Sequence, residues 1–306
     1  MVFAPASPCR AGASTIQLLI ALWPGSGFGG TAWNIITWYY GIPSSSSHAL
    51  IGGLLGAALA SAHGNWYVIK WSMAKTDPKT GQIVMEGLYH KVVIPLFASP
   101  IIGFVGGFLI CGLLLLLVRN WRVKLVKILF GRMQLVSVTY MAWDHGFADG
   151  QKTMGIMALA CFSATQAGNL KNLPPWLRFL QTPEFEIALW VKWSCVIAMA
   201  LGTYIGGWKI IATMGNKLVR LTPLHGFAAE TTGATLLLFT GKFGMPISTT
   251  HAIATAIMGV GCTKRLNALK GTLVGQIVWA RVFIIPATGL LAYVLIRGAQ
   301  VAGWTN

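Results

Sequence analysis

Two short segments of this chain carry polar residues in an order suited to holding an anion. Gly41-Ile42-Pro43-Ser44-Ser45-Ser46-Ser47-His48-Ala49 aligns without gaps to Gly244-Met245-Pro246-Ile247-Ser248-Thr249-Thr250-His251-Ala252. Gly, Pro, one Ser, His and Ala are identical, and two further positions exchange Ser for Thr. Proline tolerates its missing N–H at a helix start, and Ser or Thr caps the free amides. Such a start presents unpaired N–H groups and the positive end of the peptide dipoles to a negative ligand. Ser45, Ser46, Ser47, Ser248, Thr249 and Thr250 add neutral hydroxyl donors. Two starts facing each other would hold a tetrahedral oxyanion without a buried lysine. One Pro-Ser-x-x-His is an ordinary helix start; two copies in apolar surroundings point to a site.

Other polar residues stand near apolar runs. Asp149 lies inside a candidate span, where an acidic residue is functional by default. It can bind the substrate or hold a coupling cation, with Gln151 as a further substrate-binding residue, while Lys152 can snorkel to the surface. Glu230 has two readings, an ion or gating role and an interhelix hydrogen bond. His48 and His251 also have two: direct ligands or gating groups, and hydrogen bonds to a neighbouring carbonyl. A Ser-x-x-His pair on one helical face also raises an intramembrane hydrolase. No acid lies near to orient either His, and a hydrolase has no use for the duplication, so an enzyme is not expected.

The elements that must position these residues are membrane helices. Apolar residues make up 55% of the 306 positions and charged residues 10%, against roughly 25% in a soluble domain. Mean hydropathy is +0.65. Val92 to Val118 carries no charge, Glu186 to Gly207 only Lys192 inside it, and Gly271 to Ile296 only Arg281. Runs of about 20 apolar residues cross a bilayer as helices, and the alternation of a β-barrel is missing. The net charge of +16 does not signal nucleic acid, because the basic residues sit between apolar runs. The clusters Arg119 to Arg132, Lys209 to Arg220 and Lys264 to Lys270 read as cytoplasmic loops, with the C-terminus outside. The five cysteines, Cys9, Cys111, Cys161, Cys195 and Cys262, show no metal-ligand spacing and read as small hydrophobes.

Seven to nine segments are expected, the first at about 16–40 and the second at 44–62. Ile16 to Trp23 reads either as a signal-peptide core or as the stub of a first helix. A polar loop is expected from His63 to Lys91. In residues 133–167 the stretch Asp144 to Lys152 interrupts apolar flanks and predicts a broken helix. The fold class is therefore all-α: a polytopic membrane protein with two inverted-topology repeats, residues 1–132 and 133–306, and broken or re-entrant helices.

At three places the chain resembles the inorganic phosphate transporter family: the paired segments, His145 to Gly155, and Leu221 to Glu230. The resemblance covers residues from about 30 to 300. It implies two inverted repeats around a central phosphate site, and symport with Na+ or H+, the latter with phosphate alone or as a metal phosphate. The expected setting is the inner (plasma) membrane, with the lipid bilayer and, in a homodimer, a second copy as partners. No cofactor beyond the coupling cation and no resident metal is expected. The family's Gly-x-Asn-Asp motif matches at Gly146 and Asp149, but Ala148 replaces the Asn, an amide suited to ligating a cation or the anion. Asp149 precedes His251 by 102 positions, and the same spacing before His48 falls at −54. The first copy of the acidic motif is thus expected to be absent with about two helices, which makes a truncated, non-transporting remnant the alternative.

Overall fold

A computed structural model describes residues 15–302, apart from 43, 77–80, 82, 167, 169, 172, 213–220, 243–244, 246 and 264–270. Cys9 and most of the second and third basic clusters lie outside the described residues. Among the described residues eight α-helices follow in order: α1 Thr15–Tyr39, α2 Ser46–Ser61, α3 Ile94–Val118, α4 Val123–Gln166, α5 Leu189–Ala212, α6 Pro223–Lys242, α7 Thr249–Cys262 and α8 Gly271–Val301. Among the described residues four helical stretches are long and apolar enough to cross a membrane: 89–118, 123–166, 189–208 and 274–301. Helix α2 and helix α7 are shorter apolar helices. Leu109, Leu113 and Leu117 on α3 and Trp193, Ile197 and Leu201 on α5 are exposed. In water such stripes would be a liability, whereas lipid covers them. Ile16 to Trp23 forms early turns of α1.

The repeat extends beyond the paired segments into the helices around them. Helix α1 ends at Gly41, whose φ of +66° is the left-handed value that glycine adopts freely. There the Ile42 N–H donates to the Thr37 carbonyl at 2.9 Å. At the end of α6 the Met245 N–H donates to the Thr240 carbonyl at 3.1 Å, the same bond 203 positions later. Thr37 and Thr240 each also return their hydroxyl to the preceding turn, to Trp33 and Asn34 and to Leu236 and Leu237. The chain therefore leaves both helices under the same backbone bond and enters α2 and α7 by the same cap.

Packing between the halves is reciprocal. Helix α2 packs on α8, and α7 packs on α3. Helix α1 also touches α8, as α6 touches α3. Small residues permit the close approach: a Cβ on Gly56 would meet the Gly289 carbonyl carbon at 2.6 Å, and one on Gly107 the Ala256 carbonyl oxygen at 2.5 Å. Gly52 faces the Thr288 hydroxyl, and in the other half the partners are exchanged, with Thr255 facing Gly103. Each interface thus sets a Gly against a Thr hydroxyl at one point.

Two expectations are corrected. The stretch Asp144 to Lys152 does not break its helix, because α4 runs unbroken for 44 residues. At 1.5 Å per residue that is about 66 Å, roughly twice the hydrocarbon thickness. His145, Asp149 and Lys152 recur at helical spacing and find partners on one face, so the backbone ladder has no reason to open. Lys124, Lys127 and Arg132, read as loop residues, belong to the first turns of the same helix. Secondly, the region from His63 to Lys91 is not only loop. Met73–Thr76 (β1) and Ile83–Glu86 (β2) form an antiparallel pair in the register Met73 with Glu86. The four cysteines in described helices, Cys111, Cys161, Cys195 and Cys262, are buried thiols that form no disulfide with one another.

Candidate functional site

The two capped helix starts meet one face of α4. Ser45 caps α2, its hydroxyl accepting from the His48 N–H at 3.2 Å. Ser248 caps α7 in the same way, accepting from the His251 N–H at 3.1 Å. These hydroxyls bind backbone amides rather than imidazoles, so neither Ser forms a dyad with its His. The amides of the next two residues, Ser46 and Ser47 in α2 and Thr249 and Thr250 in α7, have no partner within their helices, as at any helix start.

Helix α4 brings His145, Asp149 and Lys152 to these starts, at the i, i+4 and i, i+3 spacings that share a helical face. The Ser47 hydroxyl donates to Asp149 Oδ1 at 3.4 Å and accepts from Lys152 Nζ at 2.9 Å. Thr249 donates to Asp149 Oδ2 at 3.4 Å. The Asp149 carboxylate thus touches both copies of the repeat at once. His145 Nε2 lies 3.1 Å from Asp149 Oδ2 and 3.4 Å from Thr249 Oγ1. Lys152 Nζ also donates to Asp149 Oδ1 at 3.3 Å and to the Ile247 carbonyl at 3.2 Å. Lys152 therefore turns inward and does not snorkel.

Two cavities adjoin this cluster. One of about 150 Å³ is lined by Asn34, Ser46, Ser47, Asp149 and Lys152 among others. The second, of about 170 Å³, is lined by Asn34, Thr37, Ser44, Ser46 and Thr250 among others. Ser46 and Asn34 border both. Each copy of the repeat thus sends one hydroxyl to Asp149 (Ser47, Thr249) and another to a cavity wall (Ser46, Thr250), and the aligned positions exchange these tasks.

The remaining residues singled out by sequence are placed as follows. His48 and His251 are buried behind the cluster, with ring centroids 5.6 Å apart. Glu230 on α6 accepts from Ser137 and, at 3.3 Å, from Gln134, both on α4, so it makes the interhelix bond. The aligned position in the first copy is Gly27, which lines the first cavity. Gln151 is exposed; two positions from Asp149, it points to another side of the helix. His145 and Asn34 were missed as candidates, although the His145 to Asp149 spacing was a readable signal.

Residues 13–292 match the Phosphate transporter family. The chain belongs to that family. Curated members named "Probable low-affinity inorganic phosphate transporter" include one from Rhizobium meliloti, 41% identical over 86% of this chain and 70% of its own length. One of the same name from Bacillus subtilis is 37% identical over 87% of this chain and 72% of its own length. A solved structure, "The sodium-dependent phosphate transporter", superposes with a TM-score of 0.70 at 19% identity. It covers 94% of this chain and 80% of that one, and at that identity the likeness is one of fold. This member of the family is a multi-pass membrane protein and a transporter, not an enzyme, and phosphate is the substrate that its family transports.

Proposed function

We propose that this chain carries inorganic phosphate across the plasma membrane by symport with a cation. The observation that carries the reading is the double contact of Asp149, which touches Ser47 of one repeat and Thr249 of the other. A carboxylate placed where two helix starts converge sets a negative charge beside an anion position, the pairing on which cation coupling draws. Phosphate would lie against the exposed amides and hydroxyls of Ser46, Ser47, Thr249 and Thr250, with Ser45 and Ser248 holding the caps. The reciprocal packing of α2 on α8 and α7 on α3 supports two repeats of inverted topology that rock about this point. The solved relative is sodium-dependent by name, which supports Na+ as one candidate ion; H+, with phosphate alone or as a metal phosphate, is the other.

Purified protein in proteoliposomes tests this directly. Uptake of radiolabelled phosphate should exceed that of empty vesicles and rise with an imposed cation gradient. Uptake no greater than in empty vesicles would sink the activity and favour the non-transporting remnant.

A further inference from the structure

The Lys152 ammonium has three hydrogens, and three oxygen acceptors surround it. They are Ser47 Oγ at 2.9 Å, the Ile247 carbonyl at 3.2 Å and Asp149 Oδ1 at 3.3 Å. Each comes from a different element: α2, the residues leading into α7, and α4. A hydroxyl, a backbone carbonyl outside regular helix and a carboxylate are the oxygen ligands that a hard cation takes, and non-helical carbonyls serve Na+ in transporters built from repeats. An ammonium with all three hydrogens bonded has none left for an anion. Lys152 borders the first cavity beside Ser46 and Ser47, yet its hydrogens are directed to these three oxygens.

We propose that the Lys152 ammonium occupies a monovalent-cation position built by Ser47, Asp149 and Ile247, and that removing it opens that position to Na+. The inference deepens the symport reading and rests on it for its consequence in transport. One positive charge beside the anion site is tethered to the chain rather than carried across with the substrate. It also gives Lys152 a structural task, since the ammonium joins the two repeats through α4.

The test compares wild-type protein with Lys152→Ala in detergent, measuring thermal unfolding in NaCl, KCl and choline chloride at equal ionic strength. Na+ that binds only the folded state raises the midpoint. In Lys152→Ala, NaCl should raise it by about 3 °C or more over choline, an effect on the scale of a kilocalorie of binding. The rise should exceed any seen in wild type and should vanish in the double variant Lys152→Ala with Asp149→Asn. Lys152→Asn, a neutral side chain with its own carbonyl, guards against a cavity effect and should also respond to Na+. Variants that fold only in NaCl would support the proposal equally. Variants that respond no more than wild type, or that fail to fold in NaCl as well as in choline, overturn it. So does a Lys152→Ala protein that loses stabilisation by inorganic phosphate and gains none from Na+, since Lys152 would then be a phosphate ligand. The readout needs no transport. Absence of uptake by wild type would sink the symport reading and leave this one standing.

Discussion

His48 and His251 lie ring against ring, with centroids 5.6 Å apart and planes tilted by 31°. They hold the same position in the two copies of the repeat, each at the residue whose amide is capped by Ser45 or Ser248. Both are 1% exposed. The contact marks where the repeats meet, with His48 one position after Ser47 and His251 two after Thr249, the residues whose hydroxyls face Asp149.

Truncation at this contact should destabilise the protein more than it alters the site. His48→Ala and His251→Ala each leave a cavity in a packed interface and should cost about 2–4 kcal/mol. Because the two share one contact, their double variant should lose less than the summed singles, by about 1 kcal/mol. Thermal unfolding of the four proteins measures this. Strict additivity would show that the rings do not support each other.

The helical glycines divide into those that packing requires and those that it ignores. Gly56→Ala would put a Cβ 2.6 Å from the Gly289 carbonyl carbon, and no flexible side chain is there to yield. A loss of about 3 kcal/mol or failure to accumulate is expected, as for other overpacked sites. Gly112→Ala and Gly131→Ala meet nothing within 4 Å and should instead gain about 0.5–1 kcal/mol of helix stability. Expression yield and thermal midpoints of the three variants decide the matter.

Hydroxyls of the paired segments should separate into caps and ligands. Ser45→Ala and Ser248→Ala remove a cap bond and should each cost about 1 kcal/mol of stability. Ser46→Ala and Thr250→Ala remove hydroxyls that face the cavities and should leave the midpoint nearly unchanged. Each should raise the KM for phosphate by about tenfold, the scale of one hydrogen bond to a charged group. Wild-type KM in both ligand variants would remove those hydroxyls from the phosphate site.

Glu230 and Ser137 should behave as a coupled pair. Ser137→Ala takes away a donor and leaves the carboxylate held by Gln134 alone. A cost of about 1–3 kcal/mol is expected. Glu230→Gln should then be nearly insensitive to the same serine change. A double-mutant cycle on unfolding measures the coupling, and a value near zero would dismiss the bond as a support between α4 and α6.

Much of this was legible in the sequence because it depends on neighbours along the chain. Apolar runs determined where helices form, since burying the backbone's hydrogen bonds in lipid permits little else. The Pro-Ser/Thr-His order determined two identical caps, since a cap bond spans only three residues. Asp149 stood out because a charge within an apolar run needs a reason to be there. Tertiary structure alone decided which atoms those residues meet. The Asp144 to Lys152 stretch read as a break because its polarity was summed along the chain. In space His145, Asp149 and Lys152 share one face of an unbroken helix and find partners on α2, on α7 and at Ile247 just before it. Lys152 read as a surface cation for the same reason: its three acceptors come from positions 47, 149 and 247, and only the folded chain brings them together. Helix starts are local and can be read from order alone. A cation cage assembled from three separate elements is set by packing, and no stretch of the chain contains it.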